Sequence, residues 1–361
     1  MLIGIIGAPN QGKSTFFNAL TLAGAEVAGH AFTTINPNEG VAYFKVKSLR
    51  SDEEPVHGFI KDDYRFVPVK VLDVAGLVPG ASEGRGLGNQ FMNDLISADA
   101  FILVVDASGG TDVEGNIVKD YDPSKMIDII IGEIDGWIHG VVSKHWLMVK
   151  KKNNPARLLA EKLSGLGISE EHIEQAVKEA GVDDLRLFSK RLRELSKPFV
   201  IAANKVDKGN VLGRGFPCSA VIELMLRKAD SEGYISYVPG EQGFKVLKEL
   251  SSEQEQGLKV AREFLNVQST GVQKCLNKVV ELLGLKVVYP VQDEGRWTDS
   301  KGRVLPNAFL LPRGATTIDL AYEVHSDIGE GFIKAIDARS KKTLSKDYVL
   351  KDGDVIKIVS K

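Results

Sequence analysis

The chain has 361 residues, 43% hydrophobic and 26% charged, a composition that fits a soluble globular protein of roughly two to three domains. Lys and Arg number 46 against 48 Asp and Glu, so the net charge of -2 excludes a chain-wide cationic surface for nucleic acid or membrane; any such contact must be local. Only two cysteines occur, Cys218 and Cys275, far apart in sequence and without metal-ligand spacing, and no segment reaches about 18 uncharged apolar residues. A disulfide framework, a zinc site and a membrane span are therefore not expected, and a reducing, cytoplasmic location is.

Leu2–Ile6 reads as a short buried strand, and from Thr15 to Leu20 the residues have the composition and apolar spacing of a helix start. Between them Gly7-Ala8-Pro9-Asn10-Gln11-Gly12-Lys13-Ser14-Thr15 completes G-x-x-x-x-G-K-[ST], in the strand, loop, helix order that a phosphate-binding loop requires. Its glycines let backbone N–H groups turn inward on phosphate oxygens, and the helix N-terminus adds the positive end of its dipole. Asn10, Gln11, Gly12, Lys13, Ser14 and Thr15 are the expected phosphate contacts. Lys13 is assigned to the β- and γ-phosphates and the Ser14 hydroxyl to a Mg²⁺ shell.

Residues 29–38 are loop-like, 40–46 alternate as a strand, and a second strand, 66–73, delivers Asp73 to Asp73-Val74-Ala75-Gly76, a D-x-x-G sequence. Glycines at 80, 84, 86 and 88 then argue for a mobile, switch-like loop. Ala100–Asp106 is a continuous apolar run of the kind buried in a parallel sheet. Asp122 as N-cap with Pro123 opens a long helix whose apolar positions are Ile127, Ile130, Ile134, Trp137, Ile138 and Val141, and shorter helices are expected at about 155–163, 169–180 and 183–195. Sheet character returns at 198–203, leading into Asn204-Lys205-Val206-Asp207; a short strand and loop follow at 216–220, and helices begin near Val221, Glu253 and Gly271. From about Lys286 the pattern is short strands around one helix, 318–325.

The order G-K-S, Thr, D-x-x-G, N-K-x-D, S-A, mostly at strand ends, resembles the guanine-nucleotide branch of P-loop proteins. The finer resemblance is to the Obg-like GTPases, in the archaeal and eukaryotic branch related to YchF that carries a C-terminal TGS domain. Its carriers are the loop at 7–15, Phe32-Thr33-Thr34-Ile35-Asn36-Pro37-Asn38, the stretch from Asp73 to Ser82, Gly86-Leu87-Gly88-Asn89, and 311–321 with Ile328-Gly329-Glu330-Gly331-Phe332. The resemblance implies an α/β fold: a P-loop NTPase G domain (1–108 and 198–284) with a mostly parallel sheet, an inserted helical subdomain (109–197) and a C-terminal β-grasp TGS domain (285–361). It also implies that Asp73 holds Mg²⁺ through a water opposite Ser14, that Thr34 caps the metal and that the Gly76 N–H senses the γ-phosphate. Asn204, Lys205, Asp207, Ser219 and Ala220 would bind guanine: Asp207 accepts from N1 and N2, Lys205 packs over the base, and the Ala220 N–H reaches O6.

Two departures from the family pattern matter. The YchF branch carries a degraded N-x-x-E and prefers ATP, whereas Asn204-Lys205-Val206-Asp207 is intact, which favours GTP. Leu77 stands where many GTPases place the water-orienting Gln, so catalysis needs help beyond Lys13. Asn10, at a position where several such proteins hold a stimulating K⁺, is the first candidate; Asp112 and Arg85 rank lower. The expected function is slow hydrolysis of GTP to GDP and phosphate by a monomeric switch acting on ribosomes or translation-related RNA, the ribosome being implied by resemblance. The alternatives are a nucleotide-gated RNA- or protein-binding scaffold with incidental hydrolysis, and an ATPase like YchF. The best local candidate for RNA phosphate contact is 144–162, with Lys144, Lys150, Lys151, Lys152, Arg157 and Lys162 against Glu161.

Overall fold

The computed structural model describes residues 1–21, 38–74 and 96–361. These fall into two compact units: residues 1–20, 38–40, 70–74 and 96–279 form the first, and 21, 41–69 and 280–361 the second. In the first part of the chain β1 is Leu2–Ile6, α1 Lys13–Thr21, β2 Glu39–Lys47, β3 Phe59–Lys61, β4 Tyr64–Asp73 and β5 Ala100–Asp106. Then come α2 Pro123–Val149, α3 Pro155–Leu163, α4 Glu170–Ala180, α5 Leu185–Ser196, β6 Phe199–Asn204 and β7 Phe216–Pro217. The strands are ordered β2-β4-β1-β5-β6-β7, with β3 paired antiparallel to β4. β1 runs parallel to both β4 and β5, β5 parallel to β6, and β6 parallel to β7, so all of them end on one edge. β5 is buried at every position, as its unbroken apolar sequence requires.

Asp122 caps α2 by accepting from the Ser124 N–H at 2.9 Å, with Pro123 at the first helical position. Ile127, Ile130, Ile134 and Ile138 form its buried stripe and share a core with Phe188 and Leu192 of α5. At 27 residues the helix is about 40 Å long and carries its basic C-terminal end well away from its cap. The rest of the first unit is α6 Ala220–Ser231, the hairpin β8 Ile235–Tyr237 with β9 Phe244–Val246, α7 Ser252–Val267 and α8 Val272–Leu282, whose last residues pass into the second unit.

The second unit contains β10 Lys286–Val291, β11 Phe309–Leu311, α9 Thr317–Val324, α10 Ser326–Glu330, β12 Phe332–Asp337, β13 Thr343–Leu344 and β14 Val355–Ser360. The sheet order is β11-β10-β14-β12-β13, with β10 and β14 parallel, and α9 packs Leu320 into its core beside Val288 and Ile356. Where one helix was expected in the tail there are two, because His325 ends α9 in extended backbone and caps α10 through its ring nitrogen. The same unit takes in the far ends of β2 and β4. Val67 shares a core with Val287, Tyr289 and Val355, and Phe44 and Val46 pack against it. Arg65, fully buried, donates to Glu53 Oε2 at 2.8 Å, to Leu305 O at 2.5 Å and to Pro306 O at 3.2 Å, and its guanidinium lies over the Tyr289 ring at 5.4 Å.

Candidate nucleotide-binding site

Parallel pairing sets the site. Because β4, β1, β5 and β6 end on the same edge, the loop after Ile6, the carboxylate of Asp73, Asp106 and Asn204 are adjacent although Gly7 and Asn204 are 197 positions apart in sequence. Gly7 must be glycine because a Cβ there would lie 2.6 Å from Val104 O, on the neighbouring strand. Gly12 has φ +89° and passes so close to Asn204 that a Cβ would meet its Nδ2 at 2.4 Å. The Phe16 N–H closes the first turn of α1 on Gly12 O at 2.9 Å, leaving the preceding N–H groups facing out of the helix end. Ser14 is exposed there, and the Lys13 ammonium donates to Asp73 Oδ1.

Asn204 joins the glycine loop after β1 to the loop that carries Ala220. It is 2% exposed; its Nδ2 donates to Gln11 O at 3.1 Å and its Oδ1 accepts from the Ala220 N–H at 3.0 Å. Lys205, at φ +64°, turns its ammonium back to donate to Asn10 O at 2.7 Å and to Asp106 Oδ2 at 2.8 Å. Asp207 is exposed, and its Oδ1 accepts from Ser219 Oγ at 2.6 Å. Thus Asn10, Gln11, Gly12, Lys13, Ser14, Thr15, Asp73, Asn204, Lys205, Asp207, Ser219 and Ala220 lie on one edge. Thr33, Thr34, Gly76, Leu77 and Arg85 lie outside the described residues.

Three side chains show roles that motif reading did not supply. Gln11 is fully buried: its Oε1 accepts from the Asp106 N–H at 2.6 Å, and its Nε2 donates to Thr111 Oγ1 at 3.2 Å and Asp112 O at 3.3 Å. Only its backbone is left to face a phosphate. Asp106, which belongs to none of the nucleotide motifs, is 2% exposed and accepts from Ser108 N, Ser108 Oγ, Thr111 Oγ1 and Lys205. Burial pushes its carboxyl up, but hydrogen bonds from Lys205, Ser108 and Thr111 outweigh this and hold it below the usual carboxylate range. The one sequence signal was a lone acid closing an otherwise apolar strand. Asp112 accepts from the N–H groups of Glu114 and Asn116 at 3.0 and 2.8 Å and from Asn116 Nδ2 at 3.0 Å, which hold its carboxyl low. The same loop receives Asn10, whose Nδ2 donates to Gly115 O at 2.9 Å.

Cys218 and Cys275, 57 positions apart in sequence, meet behind this site with Sγ atoms 3.5 Å apart, both as free thiols. Among the described residues no group of three or more His, Cys, Asp or Glu is placed to hold a metal, and no helix is long and apolar enough to cross a membrane.

Comparison with known proteins bears on the family and the fold. A model described as an Obg-like GTPase, YGR210-like, G4 motif-containing domain matches residues 202–293, a 50S ribosome-binding GTPase model matches 2–133, and a TGS domain model matches 298–360. A GTP-binding protein of Methanocaldococcus jannaschii is 44% identical over 390 residues, covering 99% of both chains. A GTP-binding protein of Schizosaccharomyces pombe is 32% identical over 88% of both, and the ribosome-binding ATPase YchF of Bacillus subtilis is 29% identical over 98% of this chain and 97% of its own. The crystal structure of a GTP-binding protein from Pyrococcus horikoshii superposes with a TM-score of 0.74 at 36% identity, covering 100% of both chains. The phosphate loop, the N-K-x-D bracket and the C-terminal β-grasp thus belong together: the chain is a member of the Obg-like, YchF-related family of P-loop GTPases that carry a TGS domain.

Proposed function

We propose that this protein binds GTP with Mg²⁺ and hydrolyses it slowly to GDP and phosphate, using the nucleotide state to control its association with ribosomes or translation-related RNA. The observation that carries this reading is Asn204, which bonds the phosphate loop at Gln11 O and the base loop at the Ala220 N–H at once. One nucleotide can therefore lie across both halves, its phosphates at Gly12–Thr15 and its base beside Asp207. Asp207 is the selector. Guanine offers it two donors, N1–H and N2–H, and adenine does not; mispairing would leave the carboxylate without its partners.

The Ser14 hydroxyl and the Asp73 carboxylate are hard oxygen donors, which fit Mg²⁺, an ion that takes few protein ligands and completes its shell with phosphates and water. When bound, the metal supplies charge neutralisation at the β- and γ-phosphates. The Lys13–Asp73 pair supports the assignment: the two groups the reading gives to phosphate and metal neutralise each other across the site. A bound nucleotide draws Lys13 onto phosphate and frees Asp73 for its metal role. Asn10 keeps an amide oxygen without a hydrogen bond among the described residues, which makes it the proposed K⁺ ligand. Asp112 would have to give up three hydrogen bonds to act as a base, which places it behind Asn10.

A second reading, an ATPase like the YchF relatives, draws on their similarity along 98% of this chain. The same relatives, named ribosome-binding, support the ribosome as partner. Titration with GTP and ATP separates the nucleotide readings, and turnover with K⁺ or Na⁺, with and without ribosomes, tests the switch. Tighter binding of ATP than of GTP would overturn the guanine assignment. Background hydrolysis with K⁺ and ribosomes both present would leave a nucleotide-gated scaffold instead.

A further inference from the structure

A second polar system lies directly behind the base loop, and the sequence motifs do not account for it. Glu223 and Arg227 are one turn apart on α6, and both are buried. Arg227 Nε donates to Glu223 Oε1 at 2.5 Å; Tyr237 OH donates to Glu223 Oε2 at 2.8 Å, and Thr270 Oγ1 donates to the same oxygen. Both carboxylate oxygens are thereby engaged. Burial, with the Glu223 carboxylate next in weight, pushes the Tyr237 phenol well above its ordinary value and keeps it a donor.

The network runs in two directions. Arg227 donates through one terminal nitrogen to Leu20 O at 3.3 Å and through the other to Gln273 Oε1 at 3.2 Å. Leu20 is in the last turn of α1, the helix that begins with Lys13 and Ser14. In the other direction Thr270 O accepts from the Ser219 N–H at 2.9 Å, and Ser219 Oγ donates to Asp207 Oδ1 at 2.6 Å. The connection therefore joins the far end of the phosphate-loop helix to the carboxylate that reads the base. A buried ion pair is a poor source of stability, since well-packed apolar residues of similar volume often serve as well or better.

We propose that Glu223 and Arg227 are positioning residues for base selection. Their network fixes Thr270, Thr270 fixes Ser219, and Ser219 holds one oxygen of Asp207 so that the side chain presents a single orientation to the N1–H and N2–H donors of a guanine base. The proposal rests on the guanine reading of Asp207 and adds that selectivity is set from the core.

The test compares full-length wild type with Glu223→Gln, with the apolar pair Glu223→Leu/Arg227→Met, and with Thr270→Val, which cuts the link but leaves the ion pair intact. Binding constants are measured for GDP, for IDP, which lacks the 2-amino donor, and for ADP, together with melting temperatures. Loss of orientation should weaken GDP about 10-fold or more and IDP only about 2- to 3-fold, because a bidentate contact depends most on alignment. The GDP-over-IDP preference should therefore collapse in Thr270→Val and in the apolar pair, the latter remaining folded. A purely structural role would lower the melting temperature and leave that preference unchanged; an unchanged preference in folded Thr270→Val or in the apolar pair overturns the proposal. A wild type that binds ADP as well as GDP would instead sink the guanine reading on which it rests.

Discussion

Lys205→Met removes an ammonium from the centre of the site while keeping most of the side-chain stem. The group lost donates to Asn10 O at 2.7 Å and to Asp106 Oδ2 at 2.8 Å. Asp106 is 2% exposed and cannot turn to water, so it stays as a buried carboxylate held only by Ser108 and Thr111. Removing one partner of a fully buried pair costs about 3–5 kcal/mol. The Lys205 side chain is 22% exposed, so water replaces part of what is lost, and we expect about 2 kcal/mol. The pH dependence fixes the sign. A carboxyl held below its unfolded value, about 3.9, stabilises the fold above that value, and the contribution is lost as pH falls through the folded value. Without Lys205 the folded value rises toward the unfolded one, so the variant should lose less stability than wild type on acidification, and the gap between them should narrow once Asp106 is protonated in both. Denaturant unfolding at pH 7 and near pH 3 measures this, and Asp106→Asn in both backgrounds closes a double-mutant cycle. A gap under about 0.5 kcal/mol at pH 7, or one that does not change with pH, would refute the view that Lys205 holds the two loops through Asp106.

Asp207→Asn should turn one of the two acceptors offered to the base into a donor, which suits the 2-oxo group of xanthine, and move preference from GTP to XTP by about 100-fold or more in competitive binding. Asn10→Ala should abolish K⁺ stimulation of turnover while GTP affinity changes by no more than about 3-fold, a single part-buried hydrogen bond to Gly115 being lost; equal wild-type rates in K⁺ and Na⁺ would dispose of the idea. Lys150, Lys151 and Lys152 are exposed beyond α2, with no ion pair among the described residues, so reversing all three to Glu should weaken ribosome co-sedimentation about 10-fold or more at low salt and leave nucleotide binding unchanged.

The sequence made the nucleotide edge legible because each of its parts is local. Ile6 to Gly7, Asp73 and Asn204 each close an apolar run, and a run that stops at a chemically special residue is visible without long-range information. Asp122-Pro123 and Ser169 marked helix starts for the same reason, since a cap acts within one turn. What stayed hidden is non-local. Gln11 looks like any loop residue until Asp106 and Thr111, about 100 positions on, are brought against it. The β3–β4 hairpin escaped notice because a three-residue strand is too short to show alternation, and its turn at Asp62, φ +50°, uses no glycine. Glu223 reads as a solvent-facing acid on an amphipathic helix, and only Arg227, Tyr237 and Thr270 together make it a buried one.

β2 and β4 leave the nucleotide edge at Asn38 and Asp73, where the Asp73 N–H donates to Asn38 O at 2.8 Å, and end in the unit built by the C-terminal residues. The consequence concerns how this module is inherited. A relative that acquired or exchanged residues 280–361 alone would inherit half a core: Val67, Phe44 and Val46 would face foreign partners, and Arg65 would lose the carbonyls of Leu305 and Pro306 while keeping its charge. The transferable unit is the tail together with residues 41–69, which are separated in sequence by residues 70–279 of the first unit. A chimera that swaps both should remain folded where one that swaps the tail alone does not, so recombination across this family is expected to move the two segments as a pair.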